Sequence, residues 1–127
     1  MRFLMRNSFH DSTITDIKFK KSQKTLTMKI KPCQSFCEAQ FKGDIVLTFN
    51  PSNYDFIDIK KLSTLAEKVG IDIYGIEINL NEDSDIWVSF DITCYTCTKE
   101  AEKIKKKIAP EAWYINFLCD NLEISHD

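Results

Sequence analysis

Hydrophobic and polar positions alternate with period two along most of the chain, the signature of strands with one buried face. Ile17 and Phe19 fall on one side of the run at residues 13–20, with Asp16, Lys18 and Lys20 on the other. After the polar turn Lys21-Ser22-Gln23-Lys24, Leu26, Met28 and Ile30 alternate with Thr25, Thr27, Lys29 and Lys31. The two runs predict an antiparallel hairpin with one wet face. A third strand is expected at 44–49, where Ile45, Leu47 and Phe49 keep register, and Asn50-Pro51-Ser52-Asn53 reads as a turn.

The period then changes. Ile59, Leu62, Leu65, Ala66 and Val69 recur at helical spacing and Gly70 stands where a C-terminal cap belongs, so a helix is expected over 60–69. In the strand at 71–80 the apolar phase slips, from odd positions (Ile71, Ile73) to even ones (Ile76, Ile78, Leu80), and a slip beside Gly75 predicts a β-bulge. Ile86, Val88, Phe90, Ile92 and Cys94 alternate with Trp87, Ser89, Asp91 and Thr93 in the clearest strand of all. Residues 98–109 read as a second helix with an Ala101, Ile104, Ile108 stripe, ended by Pro110. Strands at 113–118 and 122–124, parted by Asp120-Asn121, complete the pattern. The expectation is one α+β domain spanning 1–127, mainly antiparallel β, with about seven strands in a sandwich-like or curved sheet and two short helices.

A chain of 127 residues is long enough to bury a core without staples. Its 17 basic and 19 acidic residues leave a net charge of −2, which argues against a nucleic-acid partner. No apolar stretch approaches the ~20 residues of a spanning helix, so no membrane partner is expected. The opening Met1-Arg2-Phe3-Leu4-Met5-Arg6-Asn7 lacks the pattern of a signal peptide. Five cysteines, an odd number, read as reduced thiols and a cytoplasmic location.

Candidate chemistry is sparse. His10-Asp11 invites comparison with metal-dependent phosphohydrolases, but that chemistry needs more ligands than the one further histidine, His126, supplies. Asp11 and Ser12 are instead expected to hydrogen-bond backbone amides where the chain enters its first strand, with Phe9 plugging the core. Cys94-Tyr95-Thr96-Cys97 and the pair Cys33 and Cys37 could hold a zinc ion as four thiolates. Against this, Tyr95-Thr96 favours an extended strand, in which cysteines three apart face opposite ways. Buried small hydrophobes are the preferred reading, with no cofactor. Lys103, Lys105, Lys106 and Lys107 read as a solvated helix face whose lysines complement the helix dipole. No Gly-rich phosphate loop, G-x-S-x-G or H-E-x-x-H occurs, so no enzyme is expected.

Phe9-His10-Asp11-Ser12, followed by an alternating strand and then by the Leu26-Met28-Ile30 strand, resembles small bacterial immunity proteins of polymorphic-toxin systems. One group of these opens with Phe-His-Asp followed by Ala or Ser. The resemblance implies a cytoplasmic, non-enzymatic protein-binding module that neutralises a cognate bacterial toxin. It implies a structural role for the four motif residues and assigns none to the interface. From the residues themselves, Trp87 and Asp91 with the acidic loop Glu82, Asp83 and Asp85 are the candidate partner-binding group. The alternative is a small zinc-stabilised or structural and regulatory domain.

Overall fold

The computed structural model describes residues 2–4, 10–33, 43–52, 58–80, 86–94, 98–108 and 113–126. The strands are β1 (Arg2–Leu4), β2 (Thr13–Lys20), β3 (Thr25–Lys31), β4 (Ile45–Pro51), β5 (Ile71–Leu80), β6 (Ile86–Thr93) and β7 (Tyr114–His126). The helices are α1 (Ile59–Lys68) and α2 (Lys99–Lys106), and a single 3-10 turn, Lys21–Gln23, joins β2 to β3. The fold is α+β, with every strand pairing antiparallel.

The strands do not form a sandwich; the sheet curves until six of them close on themselves. They run β5-β2-β3-β4-β7-β6, and β6 pairs back onto β5, so six strands close a barrel; β1 adds to the outer edge of β5. Two sequence readings change accordingly. Asn50 and Pro51 belong to β4 rather than to a turn, Pro51 standing at the strand's last position, where a missing N–H is least costly. The expected strands at 113–118 and 122–124 are one strand, β7. Its first half pairs with β6 and its second half with β4, with Cys119 opposite both Ile86 and Pro51. A register shift at Asp120-Asn121 bends β7 from one neighbour toward the other.

Bulges also bend β2 and β5. Register shifts between Ile14 and Asp16, opposite Ile30 and Lys29, and between Ile73 and Gly75, opposite Ile92 and Asp91. The second is the bulge expected beside Gly75. Such bulges raise local twist, and twist lets a small sheet curl until its edges meet.

Inside the barrel lie Ile14, Leu26, Met28, Ile45, Leu47, Ile78 and Val88, all without solvent exposure. At the centre, Phe49 meets Phe90 and Phe117 edge to face, with ring centroids 6.1 and 5.3 Å away. Helix α1 buries Leu62, Leu65 and Ala66, one stripe of its surface, and packs chiefly on β2. Gly70 ends it at φ +87°, its N–H donating to the Leu65 and Ala66 carbonyls at 3.0 and 3.1 Å.

Helix α2 starts at the expected Thr98, whose hydroxyl accepts from the Ala101 N–H at 3.1 Å. Lys68 on α1 donates to Glu100 on α2 at 2.7 Å. The hydrogen bond and charge of Lys68 hold the Glu100 carboxyl below its ordinary 4.5, and Glu100 holds Lys68 above its ordinary 10.5. The pair's contribution is present between those ordinary values. It is lost as pH falls through the lowered Glu100 value or rises through the raised Lys68 value. Both groups stand in solvent, so salt weakens the tether.

Candidate binding face and cleft

The barrel closes at a narrow seam. β2 meets β5 through two residue pairs only, Thr13 with Asp72 and Ile14 with Ile71. His10, Asp11 and Ser12 extend that seam. Asp11, at φ +63°, donates its N–H to the Ile73 carbonyl at 2.9 Å, and the Ile73 N–H returns to the Ser12 carbonyl at 2.8 Å. His10 Nδ1 donates to the Tyr74 carbonyl at 2.7 Å, and its ring meets the Tyr74 ring edge-on at 5.6 Å. Its Nε2 stands 3.6 Å from Asp11 Oδ1. Ser12 is fully buried, and its hydroxyl accepts from the Cys33 N–H at 2.9 Å, as its role at the strand entry predicts. Phe9 lies outside the described residues. The motif thus grips β5 where that strand bulges.

Ser12→Ala should therefore lower unfolding stability by about 1–2 kcal/mol, the cost of leaving a part-buried amide without its acceptor. Urea titration measures it. A loss below ~0.5 kcal/mol would mean that solvent reaches the Cys33 amide.

The bulge aims Tyr74 outward. Gly75 stands opposite Asp91 on β6, and Asp91 stands opposite Tyr114 on β7, making a lateral row over three strands. The next rows are Glu77, Ser89 and Asn116, then Asn79, Trp87 and Leu118. These are outward positions, where a barrel normally carries small or charged side chains. Two of them are large aromatics, Trp87 and Tyr114, exposed by 38 and 61%, and the bulged Tyr74 beside Gly75 adds a third, exposed by 52%. Trp87 and Asp91 share this face, as expected from their phase in β6; four residues of strand put them about 13 Å apart. Glu82, Asp83 and Asp85 lie outside the described residues.

Where the face meets the C-terminal turn of α2 it deepens into an open cleft of about 740 Å³. Tyr74, Asp91 and Tyr114 from the strands, Lys105 and Lys106 from α2, and Trp113 line it. Lys105 Nζ donates to the Cys94 carbonyl at 3.0 Å and lies 3.7 Å from Glu102. Tyr74, Tyr114 and Trp113 are not among the candidate residues read from spacing, and Lys105 and Lys106 are read there only as part of a solvated helix face. The available signal was aromatic side chains at the polar phase of two strands.

Cys94 and Cys119 are buried and Cys33 half-buried, while Cys37 and Cys97 lie outside the described residues. Among the described residues no three metal-binding side chains converge. No helix there is long and apolar enough to cross a membrane.

No family model, curated protein or solved structure matches the chain.

Proposed function

We propose that the chain is a non-enzymatic protein-binding module of the immunity type, neutralising a cognate bacterial toxin in the cytoplasm. The observation that carries this reading is the alignment of Tyr74, Trp87 and Tyr114, all solvent-exposed, on one face of three adjacent strands. Exposed tyrosine and tryptophan on a rigid sheet bury large areas at low entropic cost, which is why such residues dominate binding hot spots. Asp91 sits within the patch and adds a charge that orients the partner. The resemblance of Phe9-His10-Asp11-Ser12 to immunity proteins supplies the toxin-neutralising part of the proposal. The motif's place at the seam behind Tyr74 agrees with the structural role that resemblance implies.

The test is affinity capture from lysate of the source organism, using the native chain and a Trp87→Ala/Tyr114→Ala variant as parallel baits. One equimolar partner should stay on the native bait, be released by salt and be lost from the variant. That partner expressed alone should arrest growth, and co-expression of the native chain should relieve the arrest. Identical proteins on both baits, or a partner without toxicity, would sink the reading.

A further inference from the structure

We infer that the cleft between α2 and the β5–β6–β7 face is a binding site for a small planar aromatic anion. This goes beyond the protein-binding reading and stands independently of it.

Shape comes first. A volume of about 740 Å³ is within the range of small-ligand sites, and it is the walls that select the ligand. Tyr74 on β5 and Tyr114 on β7 flank β6, so two strand spacings, about 10 Å, separate their backbones. Gly75, beside Tyr74 on β5, adds no side chain there, and Asp91 on β6 is the residue that stands between the two tyrosine-bearing strands. The Tyr74 and Tyr114 phenols and the Trp113 indole in the lining offer aromatic faces to a flat ring. Ile108 adds an apolar contact from beyond α2.

Charge comes second. Two lysines and one carboxylate line the cleft, giving it a net positive wall on the α2 side. Lys105 is already engaged by the Cys94 carbonyl and Glu102. Lys106 is exposed and makes no ion pair among the described residues, so its ammonium is available to an anion at the cleft mouth. Asp91, on β6 between the tyrosine-bearing strands, already has a partner, and its carboxylate, with about four lone-pair sites, can accept a further hydrogen bond from an N–H on the ring's edge. A ring with a ring-edge donor and a carboxylate or phosphate on a short arm matches this set.

The placement of Tyr74 is itself built. Bulges re-aim side chains beside binding sites, and this one is held by the His10 side chain and by the Asp11 and Ser12 backbone. His10 is thus a positioning residue for the Tyr74 wall, and the N-terminal motif serves the cleft as well as the seam.

Titration calorimetry and amide chemical-shift mapping of the intact chain provide the test. The probes are indole-3-acetate, adenosine 5′-monophosphate, tryptamine and inorganic phosphate. At least one aromatic anion should bind and shift the amides around Tyr74, Asp91 and Tyr114. Tryptamine, with the same ring as indole-3-acetate and the opposite charge, should bind about ten-fold more weakly, and phosphate alone should not register. The tighter of the two anions identifies the source, aromatic acid or nucleotide. Lys106→Gln on the exposed helix face should weaken the anion about five-fold and bind tryptamine no more weakly than the native chain does. Tyr114→Ala should weaken it about ten-fold. Equal binding of tryptamine, binding that maps elsewhere, or no binding of either anion at millimolar concentration would overturn the proposal.

Discussion

Phe49→Ala should lower the free energy of unfolding by about 4 kcal/mol, the largest loss expected from truncating any of the described residues. Phe49 has no solvent exposure and is the hub of the aromatic cluster, meeting Phe90 at 87° and Phe117 at 85° between ring planes. Truncation removes the transfer free energy of a whole ring and both edge-to-face contacts, and it leaves a void that a closed barrel can collapse around only partly. Phe49→Leu refills most of that space and should cost only about 1–1.5 kcal/mol. Urea unfolding with an unchanged slope measures both. Against a total stability of about 5–15 kcal/mol, typical of single domains, this loss would leave about 1–11 kcal/mol. A loss under ~1 kcal/mol would show that the barrel interior is not packed around this ring.

Gly70→Ala should cost about 2–3 kcal/mol, for two separable reasons. The backbone at φ +87° disfavours any side chain by about 1 kcal/mol. An added Cβ would also stand 2.8 Å from Thr13 Cγ2, closer than two carbons tolerate. Thr13 begins β2 and pairs with Asp72 at the seam, so it cannot retreat without loosening the ring. A double-mutant cycle separates the two terms. In a Thr13→Ser background the methyl is gone, and Gly70→Ala should cost only about 1 kcal/mol. Equal costs in both backgrounds would mean that the Thr13 methyl does not confine Gly70.

Much of the fold was legible because it rests on local periodicity. The hairpin of β2 and β3, the alternation of β6, both helices and the Gly75 bulge all leave a mark within ten or so residues. The bulge in β2 left the same mark. Ile14 is core at an even position and Ile17 at an odd one, a slip like that in β5, but no glycine stands there to draw attention to it. β7 was split because Asp120-Asn121 is turn chemistry, and tertiary pairing on both sides overrode it.

Barrel closure left no mark, because it depends on pairs such as Thr13 with Asp72, far apart in sequence and few in number. The candidate surface divides the same way. Trp87 and Asp91 share a strand, so their common face could be read from phase. Tyr74, Tyr114 and Lys106 come together only through the pairing of three strands and the docking of α2. β1 is three residues without alternation and carried no signal.

The seam has a consequence for how the chain assembles. β2–β3–β4 and β5–β6–β7 are two segments whose neighbouring strands pair, and the first pairs with the second twice. One junction, β4 with β7, is broad; the other, β2 with β5, is a two-pair contact. Forming the narrow junction requires a distant loop to close for little immediate gain, so it forms late and is the first to part in native fluctuations. His10, Asp11 and Ser12 thus work as the latch of the ring. Amide exchange at Ile73 and Cys33 will report on its opening, while the amides of β3 and β4 wait for global unfolding.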